Sequence, residues 1–170
     1  MKSLLHKTGF ATILLIFCLA QAASAVDVEK ESAFVQKKVK EVYQLIDEQG
    51  LDEAIIQVND PDGNFHWGSD YVYLMDLEVN ILAHPTQHVL IGRNLLGLRD
   101  PVTGVPFFVD MFEHVNMDEN AEGWLEYYWA KPDGRGGFYL NEEGERKPFL
   151  KRCYYMRKDN VVIFAGFYLE

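Results

Sequence analysis

The sequence predicts an α+β fold, with one antiparallel sheet and helices segregated to a face or an end of it. Three observations carry this. Val35, Val39, Val42, Leu45 and Ile46 recur at helical spacing within Val28–Gln49, with Lys37, Lys38, Lys40 and Glu41 between them. After residue 64 the period changes, and aromatic and β-branched runs replace the helical pattern. The last third is rich in such runs, and the final two are separated only by the tight turn Lys158-Asp159-Asn160, as neighbouring antiparallel strands are.

The elements follow in order. Gly50 stops the long helix, and residues 51–58 form a second, short helical turn. Asn59-Asp60-Pro61-Asp62-Gly63-Asn64 is turn chemistry. Tyr71-Val72-Tyr73-Leu74-Met75 predicts a strand, residues 76–80 turn it, and Ile81-Leu82-Ala83 starts a second that Pro85 ends. Asp100-Pro101-Val102-Thr103-Gly104 is a further turn. Val105, Phe108, Val109, Phe112 and Val115 then fit one helix face. Strands over 124–129, 148–156 and 161–169 complete the chain. No repeat, low-complexity tract or linker divides it, so residues 26–170 read as one domain.

Residues 1–25 have the three-part organisation of a secretory signal peptide. Lys2 and Lys7 supply positive charge, an apolar run spans 9–20, and Ala23-Ser24-Ala25 is a small-x-small cleavage pattern. The apolar run is shorter than the ~20 residues a spanning helix needs. Cleavage after Ala25 is therefore expected, which makes the protein periplasmic or secreted. Left uncut, the same residues would be a single membrane anchor. The formal charge of the whole chain is −10, and loss of two lysines makes the remainder more acidic still. Such a surface repels phosphate backbones and anionic lipid, which argues against a nucleic-acid or membrane-surface partner. Cys18 leaves with the signal. Cys153 then stands alone, so no intramolecular disulfide or multi-cysteine metal site can form. It is expected to be buried and inert.

Chemistry-bearing motifs are sparse. The sequence has no Gly-x-Ser-x-Gly elbow, and Gly134-x-Gly136-Gly137 lies in a loop instead of between a strand and a helix. His84 and His88 are four apart, but Pro85 between them breaks the helix that would set both on one face. The expectation is a protein that is not an enzyme and carries neither metal nor cofactor. The aromatics say more. Tyr127 and Trp129 share one face of their strand, and Trp124, Glu126 and Tyr128 the other. One face should pack on the long helix and the other under the central loops. Tyrosines and tryptophans beneath a loop cover suit either an ordinary aromatic core or a small polar pocket. Lys131, Lys147, Lys151, Arg152 and Arg157, with Arg93 and Arg99 in the central loop, are cations that a carboxylate ligand would need or that water simply solvates.

The following residues carry a family resemblance: Tyr71-x-Tyr73, Ala83-His84-Pro85, Ile91-Gly92, Asp100 with Gly104, Gly123-Trp124-Leu125-Glu126-Tyr127-Tyr128-Trp129-x-Lys131-Pro132, Lys151-x-x-Tyr154 and Ala165-Gly166-x-Tyr168. In order and spacing they resemble the single Cache domain (Cache type 2) from about residue 70 to 168. The resemblance implies a PAS-like antiparallel sheet packed on a long N-terminal helix. It implies an extracytoplasmic sensor of the kind found in chemoreceptors and histidine kinases, active in chemotaxis and signal transduction. The implied ligand is a small organic acid of the acetate, propionate or pyruvate class. No membrane helix or output domain follows Tyr168 in this sequence, so a free binding protein working with a membrane sensor or transporter is expected. The other possibility is an interaction module with no small ligand.

The resemblance also implies site residues. The family's lysine and tyrosine fall on Lys151 and Tyr154. Lys151 or Arg93 would neutralise a carboxylate, Tyr127, Tyr154 and His84 would donate hydrogen bonds, and Phe108, Phe112 and Trp129 would form apolar walls. Lys151 and Tyr154 have opposite parity, so on a regular strand only one of them faces the pocket. The turn at Asp76-Leu77-Glu78-Val79-Asn80 lacks the family's glycine, and Asn80 is expected to supply a positive φ. Residues 138–145 read as an insertion.

Overall fold

Asp27 opens the first helix: its carboxylate accepts a hydrogen bond from the Lys30 N–H at 3.1 Å. The computed structural model describes residues 26–169, and the predicted signal segment, residues 1–25, lies outside them. Helix α1, Val28–Gln49, buries Val35, Val39, Val42 and Leu45, one stripe at helical spacing. Gly50 ends it with φ 87°, a left-handed value that only glycine adopts without strain, while its N–H still closes on Ile46 C=O at 3.0 Å. That break redirects the chain into α2, Leu51–Asn59, one residue longer than the short helical segment expected over 51–58.

Six antiparallel strands make the sheet. They are β1 (His66–Trp67), β2 (Asp70–Asp76), β3 (Ile81–Ala83), β4 (Glu122–Ala130), β5 (Pro148–Lys158) and β6 (Val161–Tyr168). The order is β1-β2-β6-β5-β4, with β3 also paired to β2. The two-residue β1 has no legible period in the sequence. Between β3 and β4 comes a long cover segment with helix α3, Val109–Met117. The predicted helix face began at Val105, but Val105 is exposed and Phe108 is the N-cap. Phe107 instead stacks flat on Tyr127 and Phe108 packs beside it at a tilt, which holds the chain out of helix until Val109.

The turn from β2 to β3 also differs from expectation. Val79, not Asn80, takes the positive φ, at 68°. The Asp76 carboxylate imposes this by accepting from the N–H groups of Glu78 (2.9 Å) and Asn80 (2.8 Å) and from Asn80 Nδ2 (2.7 Å). Burial of the Val79 side chain offsets a backbone cost of about 1–3 kcal/mol.

The two faces of the sheet are separate layers, as the aromatic parity predicts. Val72, Leu74, Tyr154, Ile163, Ala165 and Phe167 pack with α1 and α2. Tyr71, Tyr73, Tyr127, Cys153, Tyr155 and Phe164 face the cover segment and α3. Asp100 pins that cover: its carboxylate accepts from Val102 N–H (2.8 Å), Thr103 N–H (2.9 Å) and, across to β4, Tyr128 N–H (2.8 Å). Burial opposes its ionisation, but these three donors hold the carboxyl below the usual aspartate range.

Candidate ligand-binding site

The cover-facing side of the sheet carries a row of aromatic donors. Tyr73 Oη lies 3.2 Å from Tyr127 Oη and 3.6 Å from Cys153 Sγ, and Tyr168 Oη donates to Ala130 C=O at 2.9 Å. Burial pushes the Tyr73, Tyr127 and Tyr168 hydroxyls far above the ordinary phenol range, so they remain protonated donors. It also raises the Cys153 thiol, and the side chain is fully buried.

His84 packs on this row, its ring 4.7 Å from Tyr71 and 5.7 Å from Tyr73. Its Nδ1 accepts from Gln87 N–H at 3.1 Å, which places the hydrogen of the neutral ring on Nε2. Burial, reinforced by the Lys151 charge, lowers its pKa to about 3, so the ring is neutral at any ordinary pH.

Lys151 is the anomaly of this face. It is 0% exposed, yet among the described residues its Nζ has no hydrogen-bond acceptor. The ammonium sits 3.8 Å from the centre of the Tyr71 ring and 5.1 Å from that of Tyr168. A desolvated cation–π contact contributes about 2 kcal/mol, less than the several kcal/mol that burying an ion costs. Asp70 is the nearby carboxyl. One of its oxygens is likewise buried without a partner. Burial raises its pKa to about 6 against the pull of Lys151 and Lys131. No ion pair joins Asp70 to Lys151 among the described residues.

Between the sheet and the cover lies a cavity of about 20 Å³. Tyr71, Tyr73, His84, Tyr127 and Trp129 line it from the sheet side and its end, and Leu90, Leu95, Leu98, Phe107 and Phe108 close it from the cover. That volume is about what one water needs, so a ligand requires the cover to withdraw. A larger groove of about 700 Å³ lies at the far end, beside Tyr43, Glu119 and the β5–β6 turn. Its cations already have partners: Lys158 pairs with Asp47 at 2.7 Å, and Arg157 donates to Val115 C=O at 2.6 Å.

The structure brings together His84, Phe108, Tyr127 and Trp129 around the cavity, with Lys151 beside Tyr71. It places three predicted site residues elsewhere. Tyr154 is on the α1 face, because β5 keeps an unbroken register with both neighbours and parity alternates strictly; its hydroxyl bonds the Glu122 carboxylate. Arg93 is exposed in the cover segment, where only its backbone is used, pairing with Ile81. Phe112, on α3, is partly buried against the cover-facing core and does not line the cavity. Of the other late cations, Arg152 turns to the helix face, onto Trp124 and Glu126. Sequence reasoning did not single out Tyr71, Tyr73 or Asp70 as site residues. Tyr71 and Tyr73 could have been found from their shared parity on β2. Asp70 had no signal, since burial and not sequence distinguishes it. Among the described residues no group of His, Cys, Asp and Glu side chains is placed to hold a metal ion, and no helix is long and apolar enough to cross a membrane.

Comparison with known proteins gives a consistent picture. The family described as Single Cache domain 2 matches residues 27–170. The periplasmic sensor domain of a chemotaxis protein is similar in structure, with 25% identity and TM-score 0.66, covering 86% of this chain and 100% of the other. A Cache chemosensory domain, solved for the structural basis of its carboxylic acid recognition, has 23% identity and TM-score 0.60, with 84% and 93% coverage. A methyl-accepting chemotaxis protein from Vibrio parahaemolyticus has 18% identity and TM-score 0.61, with 84% and 88% coverage. The last two establish the fold alone. No curated protein matches the chain.

Proposed function

The chain belongs to the single Cache domain 2 family, and on that premise we propose that it is an exported sensory protein that binds a short organic acid, with the acid's carboxylate on Lys151. The observation that carries this is the fully buried ammonium with no acceptor. An incoming carboxylate would supply the missing counter-ion and acceptor together. Tyr127 and His84 would donate hydrogen bonds, while Trp129 and Phe108 would wall the acid's short apolar part. Acids of the acetate, propionate and pyruvate class have the size for a site that opens from a cavity of about 20 Å³. A Cache domain of like fold recognises carboxylic acids, which supports the choice of ligand class.

Withdrawal of the cover segment on binding would be the signal passed to a membrane sensor or transporter. Residues 1–25 would direct export and be removed after Ala25; the N-terminal sequence of the mature protein decides this. The reading is tested by thermal shift across a panel of short acids. A ligand that binds only the folded state raises the melting temperature with concentration. A panel that leaves the melting temperature unmoved would sink the proposal.

One observation favours a second reading. The small cavity leaves the sheet face almost fully packed, as an interaction module without a small ligand would be. A flat acid panel together with a stable complex formed by the protein with a sensor or transporter would establish it.

A further inference from the structure

The buried charge at Lys151 has a second member. Asp70 opens β2 immediately before Tyr71, whose ring carries the Lys151 ammonium at 3.8 Å. β2 begins beside the end of β6, where Tyr168 pairs directly with Lys151 and has the same ammonium 5.1 Å from its ring centre. Asp70 Oδ1 and Lys151 Nζ are both buried without a hydrogen-bond partner among the described residues. The two opposite charges attract through space, but without the direct contact that would satisfy either.

The remaining charged groups around Asp70 come from the elements packed against it. Lys131, after β4, and Glu31, on α1, are half-buried and act on it in opposite senses. His66, on β1, adds a weaker pull, and the Tyr168 hydroxyl, on β6, stays protonated. Burial sets the Asp70 pKa at about 6, so in the neutral range Asp70 is an anion that offsets part of the Lys151 charge.

A bound carboxylate changes this balance. With Asp70 still ionised, one buried ammonium would face two anions. Two carboxyl groups that share a site do not both ionise freely, and the pKa of one rises strongly. The ligand keeps Lys151 as its partner, so Asp70 is the group that takes the proton.

We propose that Asp70 is an internal competitor of the ligand for Lys151, and that it binds a proton when a carboxylate arrives, so that the domain reads acidity together with acid concentration. This rests on the assignment of Lys151 as the carboxylate's partner. Affinity is greatest where Asp70 is already protonated and falls as pH rises, by up to about tenfold per pH unit.

The test is calorimetric titration of the purified protein with acetate, propionate and pyruvate at pH 6, 7 and 8, in two buffers of different ionisation heat at each pH. All three acids are ionised across this range, so a slope belongs to the protein. At least one acid is expected to bind about tenfold more weakly at pH 8 than at pH 6, with heats that differ between buffers as proton uptake requires. Asp70→Asn should bind that acid at pH 8 about as tightly as wild type does at pH 6, with no slope. His66→Asn, which removes the neighbouring imidazole, should keep the slope, so misfolding of either variant leaves the other. Affinities and heats that change with neither pH nor buffer overturn the inference and leave the Lys151 assignment standing, as does a slope that survives in Asp70→Asn or is lost in His66→Asn. No binding by wild type at any of the three pH values overturns the Lys151 assignment and this inference with it.

Discussion

The Lys151 ammonium lies 3.8 Å from the centre of the Tyr71 ring although β6 runs between their strands. Gly166 makes the crossing possible. It pairs with Tyr71 on one side and Cys153 on the other, and the lysine stem passes over it. A Cβ there would sit 2.7 Å from Arg152 C=O, 3.0 Å from Cys153 Cα and 3.0 Å from Lys151 Cε. Two of these three are backbone atoms that cannot rotate away. Gly166→Ala should therefore destabilise the domain by about 1–3 kcal/mol, read as a lower denaturation midpoint at unchanged slope. An unaltered midpoint would show that the close approach is not real.

Tyr154 separates structure from recognition. Its hydroxyl donates to Glu122 on the helix face, and burial together with that carboxylate raises its pKa. Tyr154→Phe should cost about 1–2 kcal/mol of stability and leave acid affinity within about twofold of wild type. A large loss of affinity without loss of stability would return Tyr154 to the site.

Asp70 and His84 give opposite pH dependences in one window. The folded pKa of Asp70, about 6, lies above its ordinary 3.8, so its contribution to stability is greatest below pH 4 and declines as pH rises to 6. The folded pKa of His84, about 3, lies below its ordinary 6.5, so its contribution is complete above pH 6.5 and declines as pH falls. Each slope is at most about 1.4 kcal/mol per pH unit. Relative to wild type, Asp70→Asn should tilt stability upward with pH between 4 and 6. His84→Asn, which keeps an acceptor for the Gln87 N–H, should tilt it downward. Denaturant titrations at pH 4, 5, 6 and 7 measure both, and curves parallel to wild type would contradict the burial of these groups.

What the sequence discloses follows physical range. The stripe of Val35, Val39, Val42 and Leu45 is local, and α1 is legible from it. The opposite parity of Lys151 and Tyr154 is equally local, and the regular β5 makes it decisive. The positive φ at Val79 is not legible, because the Asp76 carboxylate that bonds Glu78 and Asn80 overrides the preference of asparagine. Nor is the start of α3, which the packing of Phe107 on Tyr127 sets from 20 residues away. Arg93 lies in a segment without a period, so nothing in the sequence says which way it faces.

The central claim is that Lys151 is held buried and unpaired to receive a carboxylate. Lys151→Met keeps the length of the stem and removes the charge. Because the desolvation cost of the ammonium exceeds its contact with Tyr71, the ligand-free variant should be more stable by about 1–3 kcal/mol. The most direct measurement is calorimetric titration of wild type and Lys151→Met with acetate, propionate and pyruvate. The account predicts saturable binding of at least one acid to wild type and none to the variant. Equal binding by both, or no binding by wild type, would contradict it.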